Sequence, residues 1–140
     1  MEKTKIVGQT KDAGFQIGVR KTFDVPAETS WDYLFSEAGI STWLGNVHLE
    51  ALELNKAYKT KEGIEGKVTV FKTGSHIRLT WKPKHWENTS FLQIRVIPGK
   101  GKTTISFHQD KLLDSQQRDE MKKYWDAVIQ KIEAAIGECK

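Results

Sequence analysis

The stretch T-W-K-P-K-H-W-E-N-T, Thr80 to Thr89, decides the fold when it is read with Tyr124-Trp125, about thirty-five residues further on. Ile77, Leu79 and Trp81 alternate with polar residues as a strand with one buried face does, and Trp86 follows just beyond the strand end. Trp125 belongs to a run of helical period. A strand and a helix that both project indoles imply a sheet gripping a helix around an aromatic interior. Such an arrangement is a container, and no reactive set of side chains accompanies it.

Outward from Trp125, residues 114–137 form the longest periodic stretch of the chain. Met121, Tyr124, Trp125, Val128, Ile129, Ile132, Ala135 and Ile136 make one apolar stripe, with Lys122, Lys123, Asp126 and Lys131 mostly opposite. A helix of about 22 residues is some 33 Å long at 1.5 Å per residue, enough to cross a whole sheet.

Outward from Trp81, alternation and turn residues predict strands over 47–54, 57–61, 64–72, 75–82, 89–98 and 102–110. Gly63, Gly66, Gly74 and the Pro98-Gly99-Lys100-Gly101 turn punctuate them. Leu92, Ile94 and Val96 share one face of their strand; Ile105, Phe107 and Gln109 share one face of the last. Near the N-terminus, Phe15, Ile17, Val19 and Phe23 mark a first strand whose apolar side Lys21 interrupts. Pro26 suits a helix start, and Ala27, Trp31, Leu34 and Phe35 lie on one helical face. A second short helix is expected over 37–44, with Ser36 as its cap and Gly45 as its left-handed stop. No internal repeat, low-complexity tract or linker interrupts this order. The expectation is an N-terminal arm over 1–13 and a single α+β domain over 14–140, in the order β-αα-β6-α.

The chain of 140 residues carries 22 basic and 18 acidic side chains, a net charge of +4, with the signs interspersed. No basic run with interleaved aromatics is present, so no nucleic-acid role is expected. Lys100 to Lys102 reads as a hairpin tip. Cys139, the lone cysteine, can form no internal disulfide, which favours a reducing, cytoplasmic setting. Residues 1–14 lack the apolar run of a secretory signal, and no segment approaches the roughly eighteen apolar residues that span a bilayer. No membrane insertion is expected.

This order of elements resembles the START-like, or SRPBCC, superfamily, whose helix-grip fold wraps an antiparallel sheet around a long C-terminal helix. Within it the chain is most similar to the family named after the activator of the heat-shock-protein-90 ATPase. The carrying residues are Val25-Pro26-Ala27-Glu28 before Trp31, Trp43-Leu44-Gly45, Arg78-Leu79-Thr80-Trp81, Lys102-Thr103-Thr104-Ile105 and Tyr124-Trp125. The resemblance runs from about Gly14 to Ile136. It implies the fold and leaves the activity open, because the superfamily holds lipid carriers, hormone receptors, cyclases, oxygenase domains and chaperone activators. Where many members carry a histidine near the end of the last strand, this chain places Gln109.

The five tryptophans, 31, 43, 81, 86 and 125, can each bury roughly 150–250 Å². Most therefore serve the core. Trp31 and Trp43 are expected to lock the small helices onto the sheet. Trp81, Phe107, Trp125 and Ile129 are the expected lining of a space between sheet and helix, with Gln109 and Lys21 as the polar anchors that would orient a bound molecule. Lys21 snorkelling past the sheet edge, and Gln109 bonding backbone near the helix start, are the plainer alternatives.

Histidines 48, 76, 85 and 108 show no metal-ligand spacing, so neither a metal nor a cofactor is expected. Parity turns His108 and Asp110 outward. No G-x-S-x-G elbow or phosphate loop is present, and Ser30, Ser36 and Ser41 lie near helix starts. No catalytic residue is assigned. The expected function is a non-enzymatic binding domain for a small apolar or amphipathic ligand. The alternative implied by the resemblance is a chaperone-partner module, although no counterpart of the domain that binds the chaperone's middle segment in larger activators is expected within these residues. A third is a cyclase- or hydrolase-type enzyme with Gln109, Tyr58 and Lys21 as its candidates.

Overall fold

The computed structural model of the protein describes residues 9–10, 14–47 and 52–137. In chain order these form β1 (Gln9–Thr10), β2 (Gly14–Phe23), α1 (Ala27–Leu34), α2 (Glu37–Trp43), β3 (Ala57–Lys59), β4 (Glu65–Lys72), β5 (His76–Trp81), β6 (Ser90–Pro98), β7 (Thr103–Leu112) and α3 (Ser115–Gly137). The strands make one antiparallel sheet in the order β1-β2-β7-β6-β5-β4-β3. It is a helix-grip fold: α3 lies against β2 and β7, and α1 and α2 close the end of the interior.

Period-two alternation decides which side each strand buries. Ile77, Leu79 and Trp81 on β5, Leu92, Ile94 and Val96 on β6, and Ile105, Phe107 and Gln109 on β7 are all buried on the α3 side. The register places them together, Leu79 opposite Leu92 and Leu92 opposite Gln109. Between β2 and β7 the register shifts after Phe15, and Lys111 takes a left-handed φ of 59° at this bulge.

The quoted Thr80–Thr89 stretch runs beside the start of α3 and holds it. Asp114 Oδ1 accepts from Gln117 N at 2.9 Å, and Gln117 Oε1 accepts from Leu113 N at 2.9 Å, a reciprocal cap. Asn88 clasps the same Gln117 amide from the other side, donating at 3.0 Å and accepting at 2.8 Å. The tight joint between α1 and α2 rests on Ser36, which donates to Tyr33 O at 2.6 Å and accepts from Gly39 N at 3.1 Å. Gly39 is required there, since a Cβ would lie 1.8 Å from Tyr33 O.

One expected strand, over 47–54, is not seen at its described positions. Of residues 47–54, positions 48–51 lie outside the described residues, and the remainder is irregular backbone leading into a turn. Leu52 and Leu54 imitate strand alternation, yet Leu52 is 5% exposed and Leu54 54%. Asn55, at φ 66°, provides the left-handed residue that reverses the chain, and Lys56 N closes the turn onto Glu53 O. Local turn chemistry prevails over the apolar pattern.

Candidate functional site

The ends of β5 and β7 and the middle of α3 meet in a knot of rings. Trp125 stacks on Phe107 with centroids 4.8 Å apart, meets Trp81 at 5.3 Å, and stands perpendicular to Tyr124 at 4.8 Å. Trp81 also meets Tyr124 edge-on at 5.8 Å. These offset and edge contacts are the geometry that ring quadrupoles favour.

A hydrogen-bonded relay threads this apolar knot. Trp125 Nε1 donates to Gln109 Oε1 at 2.8 Å, Gln109 Nε2 donates to Ser90 Oγ at 2.9 Å, and Ser90 Oγ donates to Trp81 O at 2.8 Å. Burying an amide without partners would cost several kcal/mol, roughly 2–7, so the relay is what allows Gln109 to sit fully enclosed. Gln109 bonds side chains of β6 and α3, not the backbone at the helix start. Ser90 escapes a reading that looks for reactive groups. Its signal is parity: 90, 92, 94 and 96 share the inner face of β6, and a small hydroxyl at an inner position beside an inner amide predicts a pair.

Two tyrosines tie the knot to its surroundings. Tyr124 Oη donates to Trp43 O at 2.8 Å, joining α3 to α2, while Trp43 Nε1 donates to Leu34 O at 2.8 Å and joins α2 to α1. Burial, with Glu62 adding to it, pushes the Tyr124 phenol up to about 12. Tyr58 Oη reaches Thr80 O at 2.5 Å by crossing over Gly66, where a Cβ would stand 2.0 Å from that same carbonyl. Burial raises the Tyr58 phenol far above its ordinary value. Both hydroxyls therefore remain donors.

The enclosed indole N–H of Trp81 stands apart. It has no acceptor among the described residues, although the residue is 1% exposed, and the N–H of Trp86 is likewise unpartnered. The sites expected from sequence divide accordingly. Trp81, Phe107, Gln109 and Trp125 are brought together, and Ile129 follows one turn along α3. Lys21 is not part of the cluster: it lies four residues along β2 from Ile17, the partner of Gln109, or about 13 Å away. Its Nζ sits 3.5 Å from Glu133 Oε2, both side chains being about half exposed.

Open clefts flank the knot. One of about 530 Å³ lies where β3, β4 and β5 end, lined by Tyr58, Lys59, Glu65, Thr80, Lys82 and Thr89. Another of about 650 Å³ lies beside α2, between Glu37, Ser41, Asn46, Lys59 and Lys61. Among the described residues no group of histidine, cysteine or carboxylate side chains could hold a metal ion. His85 pairs with Glu120 at 3.4 Å and His108 with Gln16 at 3.0 Å, while His48 lies outside the described residues. No helix among them is long and apolar enough to cross a membrane.

The family model described as Activator of Hsp90 ATPase homolog 1-like protein matches residues 24–137. No curated protein sequence matches the chain. Similar solved structures include protein MLL2253 from Mesorhizobium loti, 17% identical over 89% of this chain and 98% of that one, with a TM-score of 0.76. An HSP90 activator from Plasmodium falciparum, PFC0360w, is 16% identical over 89% and 97%, with a TM-score of 0.74. CalU16 from Micromonospora echinospora is 15% identical over 88% and 76%, with a TM-score of 0.73. Likeness at such identities speaks to the fold alone.

Proposed function

The chain belongs to the Activator of Hsp90 ATPase homolog 1-like family, and from that premise we propose that it is a non-enzymatic binding domain for a small apolar or amphipathic molecule held between sheet and α3. The carrying observation is the Trp81 indole N–H, a buried donor with no acceptor among the described residues, inside a knot of rings. A ligand carbonyl, hydroxyl or carboxylate would satisfy it, with Trp81, Phe107, Trp125 and Ile129 as the apolar wall. Gln109, already bonded at both ends, sets the pose of the Trp125 indole, and Lys21 marks the far rim. The single cysteine agrees with a cytoplasmic setting.

Burying about 300 Å² of apolar ligand is worth about 7–8 kcal/mol gross, from which association costs of at least about 4 are subtracted. Because the rings already touch, a ligand must also open the knot. Micromolar affinity is expected. Fatty acids, aromatic polyketides and isoprenoids titrated against tryptophan emission test the reading: one class should perturb the emission of the native chain and lose its effect in Trp81→Phe. If no class does so, the reading fails.

A second reading, a chaperone-partner module, is favoured by the family description and by the similarity to the Plasmodium falciparum HSP90 activator. It predicts that the chain alters the ATP turnover of an Hsp90; unchanged turnover together with absent co-purification would remove it. An enzymatic reading has less support. Tyr58, one of its candidates, is held protonated by burial and donates to a backbone carbonyl, and Gln109 is committed to Trp125 and Ser90.

A further inference from the structure

The face of the sheet turned away from α3 carries a cross-strand row of cations. Register places Arg20 opposite Ser106, Ser106 opposite Arg95, Arg95 opposite His76 and His76 opposite Lys72. Their chain neighbours Ile105, Ile94, Val96 and Ile77 point inward and are buried, so the row points outward. Arg20 and Lys72 are exposed, and Arg95 and His76 half-buried. With strands about 4.8 Å apart, the row is about 19 Å long from Arg20 to Lys72, and Arg95 stands about 10 Å from each end.

Nothing among the described residues neutralises the row. Arg20, Arg95 and Lys72 have no ion-pair partner there. Asp110, a carboxylate on the same face, lies four residues along β7 from Ser106, about 13 Å away. The repulsion is felt inside the row: partial desolvation, and then the positive charges of Arg95 and Lys72, hold the His76 imidazole below its ordinary range.

We propose that this outer face of the sheet docks an acidic segment of a partner protein, carboxylates meeting Arg20, Arg95 and Lys72 in turn. A polyproline II chain turns once in three residues and advances about 9 Å, so acidic side chains at every third position share one face at the interval between the cations. Charge complementarity of this kind mainly steers encounter and selects the partner. A single-stranded nucleic acid would need rings to stack on. Phe91, whose ring lies on this face, is roofed by the Arg78 guanidinium at 4.9 Å and Lys111 Nζ at 5.7 Å. This surface lies on the other side of the sheet from the ring knot and does not depend on what the interior holds.

The test is anisotropy of a fluorescein-labelled peptide of repeated Glu-Ser-Gly triplets with the full chain at low and moderate salt. Reversing both Arg95→Glu and Lys72→Glu should weaken binding about tenfold or more at low salt, with Arg95→Gln and Lys72→Gln intermediate. Lys123→Glu on α3, the same sign of charge change elsewhere, should leave binding within about twofold. The bound peptide should raise the His76 titration seen by NMR, because added negative charge favours imidazolium. Three results would overturn the proposal: no binding at low salt, equal losses in the row variants and Lys123→Glu, or tighter binding of a single-stranded DNA oligomer than of the peptide.

Discussion

The Nε1 of Trp125 donates to Oε1 of Gln109 across 2.8 Å of otherwise apolar interior. One residue belongs to the helix and the other to β7, an interior strand of the sheet, so this bond sets the rotation of α3 about its own axis. A helix turned by one residue, 100°, would carry the indole off Phe107 and leave the amide oxygen unpaired.

Gln109→Met retains the side-chain volume and removes both bonds of the amide. It should destabilise the chain by about 1–3 kcal/mol, the range for leaving buried donors and acceptors unmatched. Urea unfolding followed by far-UV circular dichroism measures this. Coupling of about 1 kcal/mol between Gln109→Met and Trp125→Phe is expected from the double-mutant cycle, and an additive cycle would contradict the bond's role.

Trp81 and Trp125 pack in the same knot but differ in bonding, which gives a sharper comparison. Trp125→Phe loses packing and a hydrogen bond; Trp81→Phe loses packing alone, since its N–H has no partner among the described residues. The first should cost about 1 kcal/mol more than the second. Equal losses in denaturant midpoint at equal slope would refute this.

Tyr124 predicts an alkaline limit. Its phenol, raised from about 10 in the unfolded chain to about 12 by burial and then by Glu62, favours the neutral form in the folded state. The stability it contributes is fully present below pH 10 and is lost as the pH climbs through 12. A phenolate absorbance titration should show one phenol ionising near pH 12 that is missing in Tyr124→Phe, while the still later ionisation of Tyr58 remains. Three phenols ionising together near pH 10 in the native chain would disprove the assignment.

Gly66 lets Tyr58 cross β4. Gly66→Ala places a methyl 2.0 Å from Thr80 O, a backbone atom that cannot turn aside, so β4 and β5 must part. A loss of about 2 kcal/mol or more is expected, at the upper end for single substitutions. Thermal melts beside Gly18→Ala, a strand glycine without a left-handed φ whose Cβ would meet its nearest atoms at 3.9 Å, separate crowding from backbone entropy.

Much of this molecule was legible in alternation and helical period. The inner faces of β5, β6 and β7 and the apolar stripe of α3 are local patterns, and each element must bury its own apolar side wherever its neighbours lie. The Leu52–Leu54 alternation misled for the complementary reason: two apolar residues at period two cannot outweigh a left-handed Asn55 and the turn it closes.

Lys21 illustrates the limit of parity. The sequence determined that it faces the helix side of β2, but its distance from Gln109 along the strand and the position of Glu133 on α3 decided that it sits at the rim. Composition and period alone determined a sheet with a helix across it and indoles between them, because burial depends on side-chain spacing along one segment. Which donor met which acceptor, Gln109 with Trp125 and Ser90 but Trp81 with none among the described residues, was left to the tertiary structure. Hydrogen bonds are satisfied within a few tenths of an ångström, and that precision arises only when strand register and helix rotation are set together.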